Sequence, residues 1–208
     1  MKNTEWGAVA YLSHSKYGIN KEVNINNNSS YKTGYSALKS TNQQTYPGET
    51  GDGNSYNSLY STEIGYLAST TGNITGVYDM AGGSWEYMAS HIDGNVGQSG
   101  FSTIILDNYD TKYFDIYNSS STITGYQYRI LGDATGEMGP FNTFLYENNV
   151  TRYHSGWYGD YSCFVGSSYP WFHRGGQNKY SVLAGTFYFD YYSGGTHNGV
   201  GYRIVLAP

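Results

Sequence analysis

Two carboxylates in the middle of the chain could do chemistry together. Asp79 and Glu86 stand seven positions apart in the stretch GVYDMAGGSWEY, and Gly82 and Gly83 between them permit a tight loop. Side-chain carboxylates and main-chain carbonyl groups are the oxygen ligands that calcium takes. The spacing fits a calcium loop, a general acid–base pair or a structural turn whose carboxylates bond nearby backbone amides, and it does not choose among them.

Cys163 is the only thiol in the sequence, so an intrachain disulfide is impossible. A nucleophilic thiolate needs a base beside it, and His154 and His173 are the histidines that could supply one. A lone cysteine between Ser162 and Phe164 is more often packed or exposed than catalytic. The sequence therefore predicts no catalytic residue.

Aromatic residues dominate the last part of the chain. Residues 151–208 hold nine Tyr, four Phe and two Trp but only six charged residues. Their spacing follows neither the period of a strand nor that of a helix, and the run FYFDYY at 187–192 cannot turn all its rings to one side. Some of these rings should therefore reach solvent, where aromatic patches usually mark binding surfaces.

The overall composition narrows the class of protein. The length of 208 residues suits one domain. The sequence contains 25 Tyr and 28 Gly and is also rich in Ser and Asn, a mixture that antibody binding loops use. Charged residues make up 13% of the sequence and the formal net charge is -5, so the sequence lacks the excess of basic residues that nucleic-acid binding requires. No apolar run approaches the roughly 18 residues of a membrane span, so no direct membrane insertion is expected. The first residues, MKNTEW, are not typical of a secretion signal.

The elements that must position these residues follow from local patterns. A helix is expected over residues 5–16 with Thr4 as its cap. Long loops follow, with at most a short helix near 36–39 and a second short helix or turn at 60–68. The simplest account is one α+β domain over residues 1–208. Short runs bounded by Gly, Asn or Asp predict strands at 77–80, 84–88, 123–130, 181–189 and 201–206.

Two blocks of the sequence resemble a known family. The stretch GVYDMAGGSWEY is similar to the signature G-V/L-Y-D-M-x-G-N-V/A-W-E-W of the formylglycine-generating enzyme family. WFHRGGQNKY at 171–180, followed by SGGTHNGVGYRIVL at 193–206, resembles that family's R-G-G-S-W/F and N-x-G-F-R motifs, and WGAVAYL at 6–12 is similar to its early helix. The resemblance implies a C-type-lectin-like fold with two helices, a small twisted antiparallel sheet and long loops.

The same resemblance implies a calcium site and argues against catalysis. The calcium ligands would be the Asp79 side chain, the carbonyl groups of Gly82 and Ser84, and Glu86, with Gly83 standing where the family has Asn. The family's oxidase activity needs a pair of cysteines soon after its second block, and residues 175–183 contain none. We therefore expect a non-enzymatic protein with structural calcium as its one cofactor.

A narrower resemblance concerns the variable proteins of diversity-generating retroelements. In those systems a reverse transcriptase randomises adenines late in the gene, and Asn codons become Tyr, Ser, Asp, His, Phe, Gly or Cys. The tract between residues 153 and 198 is rich in that set. The resemblance implies a variable binding face made of Tyr158, Asp160, Tyr161, Ser162, Cys163, Phe164, Ser168, Tyr169, Tyr188, Asp190, Tyr191, Tyr192, Thr196 and His197.

On this interpretation the protein is a receptor or adhesin that binds another protein or macromolecular surface. It would be displayed outside a bacterium or on its phage. Two alternatives stay open: an enzyme related to the formylglycine family with altered chemistry, and a structural tip module of a fibre or pilus that assembles with its own copies. The sequence has no Gln/Glu-Pro-Asp or Glu-Pro-Asn triplet of the kind that binds sugars through calcium.

Overall fold

The computed structural model describes residues 1–27, 34–36, 58–60, 63, 65–117, 141–147, 150–155, 157–163 and 165–206. For the strand residues 35–36, 58–59, 141–147 and 150–155, and for Ser181, it describes the main chain alone. The expected strand at 123–130 and most of the expected helix near 36–39 lie outside these residues. Ser36 itself belongs to a short strand.

The first helix, α1, covers Asn3–His14, so the predicted helix is confirmed but begins two residues earlier than expected. Lys2 is the residue at its N-terminal cap, and the Lys2 N–H donates a hydrogen bond to the Glu5 carboxylate at 2.8 Å. Thr4 gives its N–H and its hydroxyl to the Asp115 carboxylate at 3.0 and 2.9 Å instead of capping the helix. The start of α1 is therefore fixed by Lys2 and Glu5.

The other elements are short. A second helix, α2, covers Thr103–Leu106, and 3-10 helices cover Gly65–Ala68 and Asn178–Leu183. Within the described ranges, no helix combines the length and the apolar character needed to cross a membrane. In chain order the strands are β1 (Tyr35–Ser36), β2 (Ser58–Leu59), β3 (Trp85–Ile92), β4 (Asp115–Tyr117), β5 (Phe141–Glu147), β6 (Val150–Ser155), β7 (Trp171–Gly175), β8 (Gly185–Tyr192) and β9 (Val200–Gly201).

Five of these strands form the central sheet. β3, β7 and β8 pair antiparallel in that order, whereas β4 and β9 both run parallel to β3. The molecule is thus α+β with a small mixed sheet, which corrects the expectation of an antiparallel one. Parallel neighbours need a crossover connection, and β4 and β9 each return to β3 over a long stretch of chain rather than through a tight hairpin. β1 with β2 and β5 with β6 form separate two-stranded pairs.

The strand predictions are partly right. β3 extends the predicted strand at 84–88, and β8 covers the end of the predicted strand at 181–189, whose first three residues belong to a 3-10 helix. Residues 77–80 form no strand, and β9 includes only the first residue of the predicted 201–206 strand. The helix or turn expected at 60–68 is the 3-10 helix Gly65–Ala68.

The main core lies between α1 and one face of the sheet. The indole of Trp6 is fully buried there and donates its Nε1–H to the Thr186 carbonyl at 2.8 Å. Arg174 is also fully buried, and its guanidinium donates to the Asn3 side chain at 2.8 Å and to the Tyr188 carbonyl at 2.9 Å. Since side chains alternate along a strand, the neighbours of these core residues turn to the opposite face of the sheet. The apolar partners of Trp6 in this core include Met80, Met88, Ile92, Phe172, Phe187 and Phe189.

Candidate functional site

The loop between Asp79 and Glu86 is closed by a side chain from the C-terminal segment. The Arg203 guanidinium donates to the main-chain carbonyl groups of Tyr78 and Asp79, both at 3.0 Å. The same group forms a bidentate ion pair with Glu86, with Arg203 Nε 2.6 Å from Glu86 Oε2 and Nη2 against Oε1. A positive charge therefore already lies inside the loop, bound to the oxygens at both of its ends.

The expected calcium ligands do not fit a metal ion in this arrangement. Both carboxylate oxygens of Glu86 accept hydrogen bonds from Arg203, and the Asp79 carboxylate accepts one from the Tyr60 hydroxyl at 2.6 Å. Gly82 donates its N–H to the Gly175 carbonyl, and Ser84 leads directly into β3. Over the described ranges, no three His, Cys, Asp or Glu side chains gather as a metal-binding group would require. The geometry suits a guanidinium better than calcium.

Four residues predicted for the binding face are buried, which corrects that assignment. The segment 160–163 lies along β8: the Cys163 N–H donates to the Phe189 carbonyl at 2.8 Å, and the Phe189 N–H donates to the Tyr161 carbonyl at 3.0 Å. This pairing packs the segment against β8, and three of its four residues are buried. The buried residues are Asp160, Ser162, Cys163 and Tyr188.

Buried hydrogen bonds explain why polar members of this set can be internal. The Asp160 carboxylate accepts from the Phe187 N–H at 2.9 Å. The Tyr188 hydroxyl accepts from Trp85 Nε1 at 3.0 Å and donates to the Asp190 carboxylate at 2.8 Å. Buried polar groups with such partners are tolerated in protein interiors. Burial, followed by the charge of Asp190, raises the pKa of the Cys163 thiol, which is the opposite of what a nucleophilic cysteine needs.

The remaining predicted residues reach the surface, but they divide between two patches. In β8, Tyr191 lies opposite Phe172 and Tyr192 lies opposite Trp171, so the two tyrosines turn to opposite faces of the sheet. Tyr191 packs on the core side with its ring 4.9 Å from the exposed ring of Tyr169. Phe164 lies outside the described residues. The partly or fully exposed residues are Tyr158, Tyr161, Ser168, Tyr169, Asp190, Tyr191, Tyr192, Thr196 and His197.

The patch on the outer face of the sheet is the strongest candidate site. The His173 ring lies between two stacked neighbours, with centroids 5.0 Å from Tyr192 and 5.8 Å from Trp85. His197 meets both Trp85 and Tyr192 edge-on at 5.6 and 6.0 Å, and Tyr87 lies 4.2 Å from His173. We call this set the aromatic platform: Trp85, Tyr87, His173, Tyr180, Tyr192 and His197, with Tyr180 5.3 Å from Trp85.

The platform has a polar centre. His173 Nε2 is buried without a hydrogen-bond partner among the described residues. Burial, followed by the charge of His197, lowers the pKa of His173 to about 3, so the ring is neutral at ordinary pH. Asp190 lies opposite His173 in the β7–β8 pair, and burial raises its pKa to about 7 despite hydrogen bonds from the Tyr191 N–H and the Tyr188 hydroxyl. Because His173 is buried, a ligand group could hydrogen-bond its neutral imidazole only by displacing one of the rings that cover it.

A cavity of about 360 Å³ lies beside the platform and shares Tyr87 with it. The Tyr87 hydroxyl donates to the Gly195 carbonyl at 2.8 Å, which fixes the ring at the boundary of the two features. A concave apolar pocket with a few polar groups is the usual form of a ligand site. The lining includes Ser99, Phe101, Trp171, Gly194 and Tyr202.

Sequence reasoning found part of the platform and missed the rest. Tyr192 and His197 were predicted for the binding face, whereas Tyr87, His173 and Tyr180 were not. The missing signal was the alternation of WEYMASHI at 85–92, which puts Trp85, Tyr87 and His91 on one face of β3. Pairing that face with the aromatic side of β7 would have indicated the platform.

Comparison of the chain with protein-family models, with curated proteins and with solved structures finds no match in any of the three.

Proposed function

We propose that the protein is a non-enzymatic ligand-binding protein on a C-type-lectin-like scaffold, displayed by a bacterium or its phage, that holds a macromolecular partner on the aromatic platform. The observation that carries this proposal is the His173 ring stacked between Trp85 and Tyr192 with an unbonded buried Nε2. Trp85 and His173 are buried and form a rigid base, while Tyr87, Tyr180, Tyr192 and His197 are partly or fully exposed above it. Exposed aromatic rings held in this way offer a rigid contact area and are enriched among binding hot spots.

Diversification of this face is part of the proposal. Ser168, Tyr169, Thr196 and His197 are exposed, so substitutions there would change the surface without disturbing the core. Tyr192 lies partly exposed on the platform and would alter its contact area when replaced. The buried members of the tract, such as Tyr188, would tolerate less, because each has a packed or hydrogen-bonded environment to satisfy.

The chemistry of Cys163 supports a binding role over the oxidase alternative. The thiol is fully buried, and no second cysteine exists to form a redox pair. A raised thiol pKa leaves little thiolate at neutral pH, and the thiolate is the reactive form.

Affinity selection from a random peptide library is the test, with the wild-type protein as bait. Peptides that use the platform should bind Tyr192→Ala or His197→Ala at least ten-fold more weakly, because each change removes a contact ring. Tyr17→Ala is the matched control: this tyrosine is exposed and lies outside the platform, so binding should be unchanged.

Melting temperatures separate binding from folding in this experiment. Tyr192→Ala should keep the wild-type melting temperature, whereas Tyr191→Ala should lower it because Tyr191 packs against the core. Selected peptides that bind wild type and Tyr192→Ala equally well, or a Tyr192→Ala protein that fails to fold, would contradict the proposal.

A further inference from the structure

Beyond β9 the chain continues over residues 202–206 without pairing to a strand among the described residues. Residues 202–206 have one main-chain hydrogen bond to the rest of the described chain, from the Met1 ammonium to the Arg203 carbonyl at 2.6 Å. Their side chains alternate: Arg203 turns inward to Glu86, while Tyr202, Ile204 and Leu206 are 78%, 75% and 91% exposed. Unpaired N–H and C=O groups beside exposed apolar side chains form a template for pairing with another strand.

Concave surface flanks this segment on both sides, mainly apolar on one side and mixed on the other, where Lys2, Glu5 and Lys112 join the lining. One flank is the 360 Å³ cavity, where Phe101 stands beside Tyr202. The other flank is a cavity of about 280 Å³, where Tyr113 stands beside Val205 and Leu206. Met1 lines both cavities, so the two flanks are neighbours. The rings of Phe101 and Tyr113 are themselves more than half exposed.

The size of this patch is sufficient for a stable interface. The exposed parts of Phe101, Tyr113 and the apolar side chains of residues 202–206 come to roughly 700 Å². A specific protein–protein interface buries about 800 Å² on each partner. Single exposed apolar residues need no explanation, but a continuous patch of this area usually marks an interaction surface.

We propose that residues 202–206 pair antiparallel with the same segment of a second copy of this chain, across a two-fold axis. One edge paired with itself satisfies the outward-facing main-chain donors and acceptors of both copies, and the contact closes without leaving a further edge. Two charges beside the segment are paired internally, Arg203 with Glu86 and Lys2 with Asp115 at 3.5 Å, while Glu5 and Lys112 on the second flank have opposite signs. Phe101 and Tyr113 of each copy then cover the ends of the paired strands.

Sedimentation velocity on the wild-type protein between 1 and 100 μM tests the proposal. The expected result is a concentration-dependent dimer. Hydrogen exchange of alternate amides between residues 202 and 206 should slow as the concentration rises, because every second amide of the segment points to the partner strand in the dimer.

Two lysine variants localise the interface. Ile204→Lys should weaken dimerisation at least ten-fold, since it places two ammonium groups near the axis. Ile74→Lys is the matched control, because Ile74 is similarly exposed and lies outside the patch, and it should leave the dimer unchanged. Both variants should keep the wild-type melting temperature at concentrations where the protein is monomeric.

Three results would overturn the proposal. The first is a protein that stays monomeric at 100 μM. The second is a dimer that persists in both Ile204→Lys and Leu206→Lys. The third is a dimer whose amides between residues 202 and 206 all exchange as fast as in the monomer, because such a dimer uses another surface.

Discussion

The Arg203 guanidinium joins three groups that are distant in sequence: the Tyr78 and Asp79 carbonyls and the Glu86 carboxylate. Asp79 adopts φ 59°, a left-handed conformation that non-glycine residues seldom use and that Asp tolerates better than most. A buried ion pair adds little net stability compared with an apolar pair of the same size. Removing only one partner of the pair is strongly destabilising, because it leaves the other charge buried and unpaired.

The titration of Asp190, which bonds the buried Tyr188 hydroxyl, makes the stability of the protein depend on pH. The Asp190 folded-state pKa of about 7 is above the ordinary value of 3.8, because burial disfavours the carboxylate. The native state therefore keeps the proton over a pH range in which the unfolded chain has lost it. The contribution of protonated Asp190 to the free energy of unfolding is complete below about pH 4 and is lost as the pH rises through about 7.

An Asp190→Asn variant tests this linkage. The free energy of unfolding of the wild type should fall relative to that of the variant between pH 4 and pH 7.5, by on the order of 1–4 kcal/mol. Asn carries no titrating proton. Its single carbonyl oxygen can accept from either the Tyr188 hydroxyl or the Tyr191 N–H, which bond different carboxylate oxygens of Asp190, so the variant's stability shifts by a constant and only the pH dependence is compared. Urea unfolding at half-unit pH steps gives the comparison, and parallel curves for the two proteins would show that Asp190 does not titrate as described.

At the scale of elements, the platform follows from strand alternation. Tyr87 pairs with His173 across β3 and β7, and His173 pairs with Asp190 across β7 and β8, so their side chains share the outer face. The same alternation sends Tyr191 to the core side. Adjacent residues of one aromatic run therefore lie on different faces, Tyr192 on the platform and Tyr191 against the core.

The sequence predicted α1, β3 and most of β8, because local patterns and flanking Gly or Asn residues carry that information. It could not predict that β4 and β9 run parallel to β3, because pairing direction depends on contacts between distant segments. Tyr188 was assigned to the binding face because the resemblance to retroelement variable proteins implied a variable tract that includes it. In the fold, Trp85 and Asp190 supply the hydrogen bonds that let it be buried.

The turn before β3 depends on two glycines in the left-handed region. Gly82 has φ 75°, and a Cβ atom there would lie 2.1 Å from the Asn26 carbonyl oxygen. Gly83 has φ 71°, a conformation that Asn also tolerates, so Asn in this position would be compatible with the turn. The close approach of Asn26 thus makes Gly82 the more restrictive of the two.

Two alanine variants separate backbone conformation from close packing. Gly94→Ala tests conformation alone, because Gly94 has φ 68° and open space around it, and it should cost about 1 kcal/mol of unfolding free energy. Gly82→Ala adds the clash with Asn26 and should cost at least about 2 kcal/mol more. Urea midpoints of the two variants give the difference, and equal losses would mean that the turn shifts freely to relieve the contact.

At the scale of the whole molecule, the first residue and the last described segment meet on β3. The Ala89 N–H donates to the Met1 carbonyl at 2.9 Å, and the Met1 ammonium donates to the Arg203 carbonyl. Met1 therefore bridges the middle of the sheet and the C-terminal segment. The fold is closed by contacts between residues far apart in sequence, which usually makes folding slow but cooperative.

Two truncations test how much of this closure depends on Arg203. A chain ending at Arg203 loses the exposed side chains of Ile204, Val205 and Leu206 and should keep its stability to within about 1 kcal/mol. A chain ending at Gly201 also loses the guanidinium and leaves Glu86 unpaired, which should cost about 3–5 kcal/mol. Thermal unfolding of both, with and without EDTA, provides the measurement. We expect EDTA to change neither melting temperature; a drop on chelation would reinstate calcium in the loop.

The burial of Cys163 beneath β8 gives the molecule an intrinsic reporter of its own opening. A sulfhydryl-specific chromogenic reagent can reach this sulfur only after the 160–163 segment separates from its neighbours. Colour development in the native buffer therefore counts opening events, without a dye or an engineered label. If the partner clamps this side of the domain when it docks, the same reaction will slow in proportion to occupancy, and a simple absorbance trace becomes a binding assay.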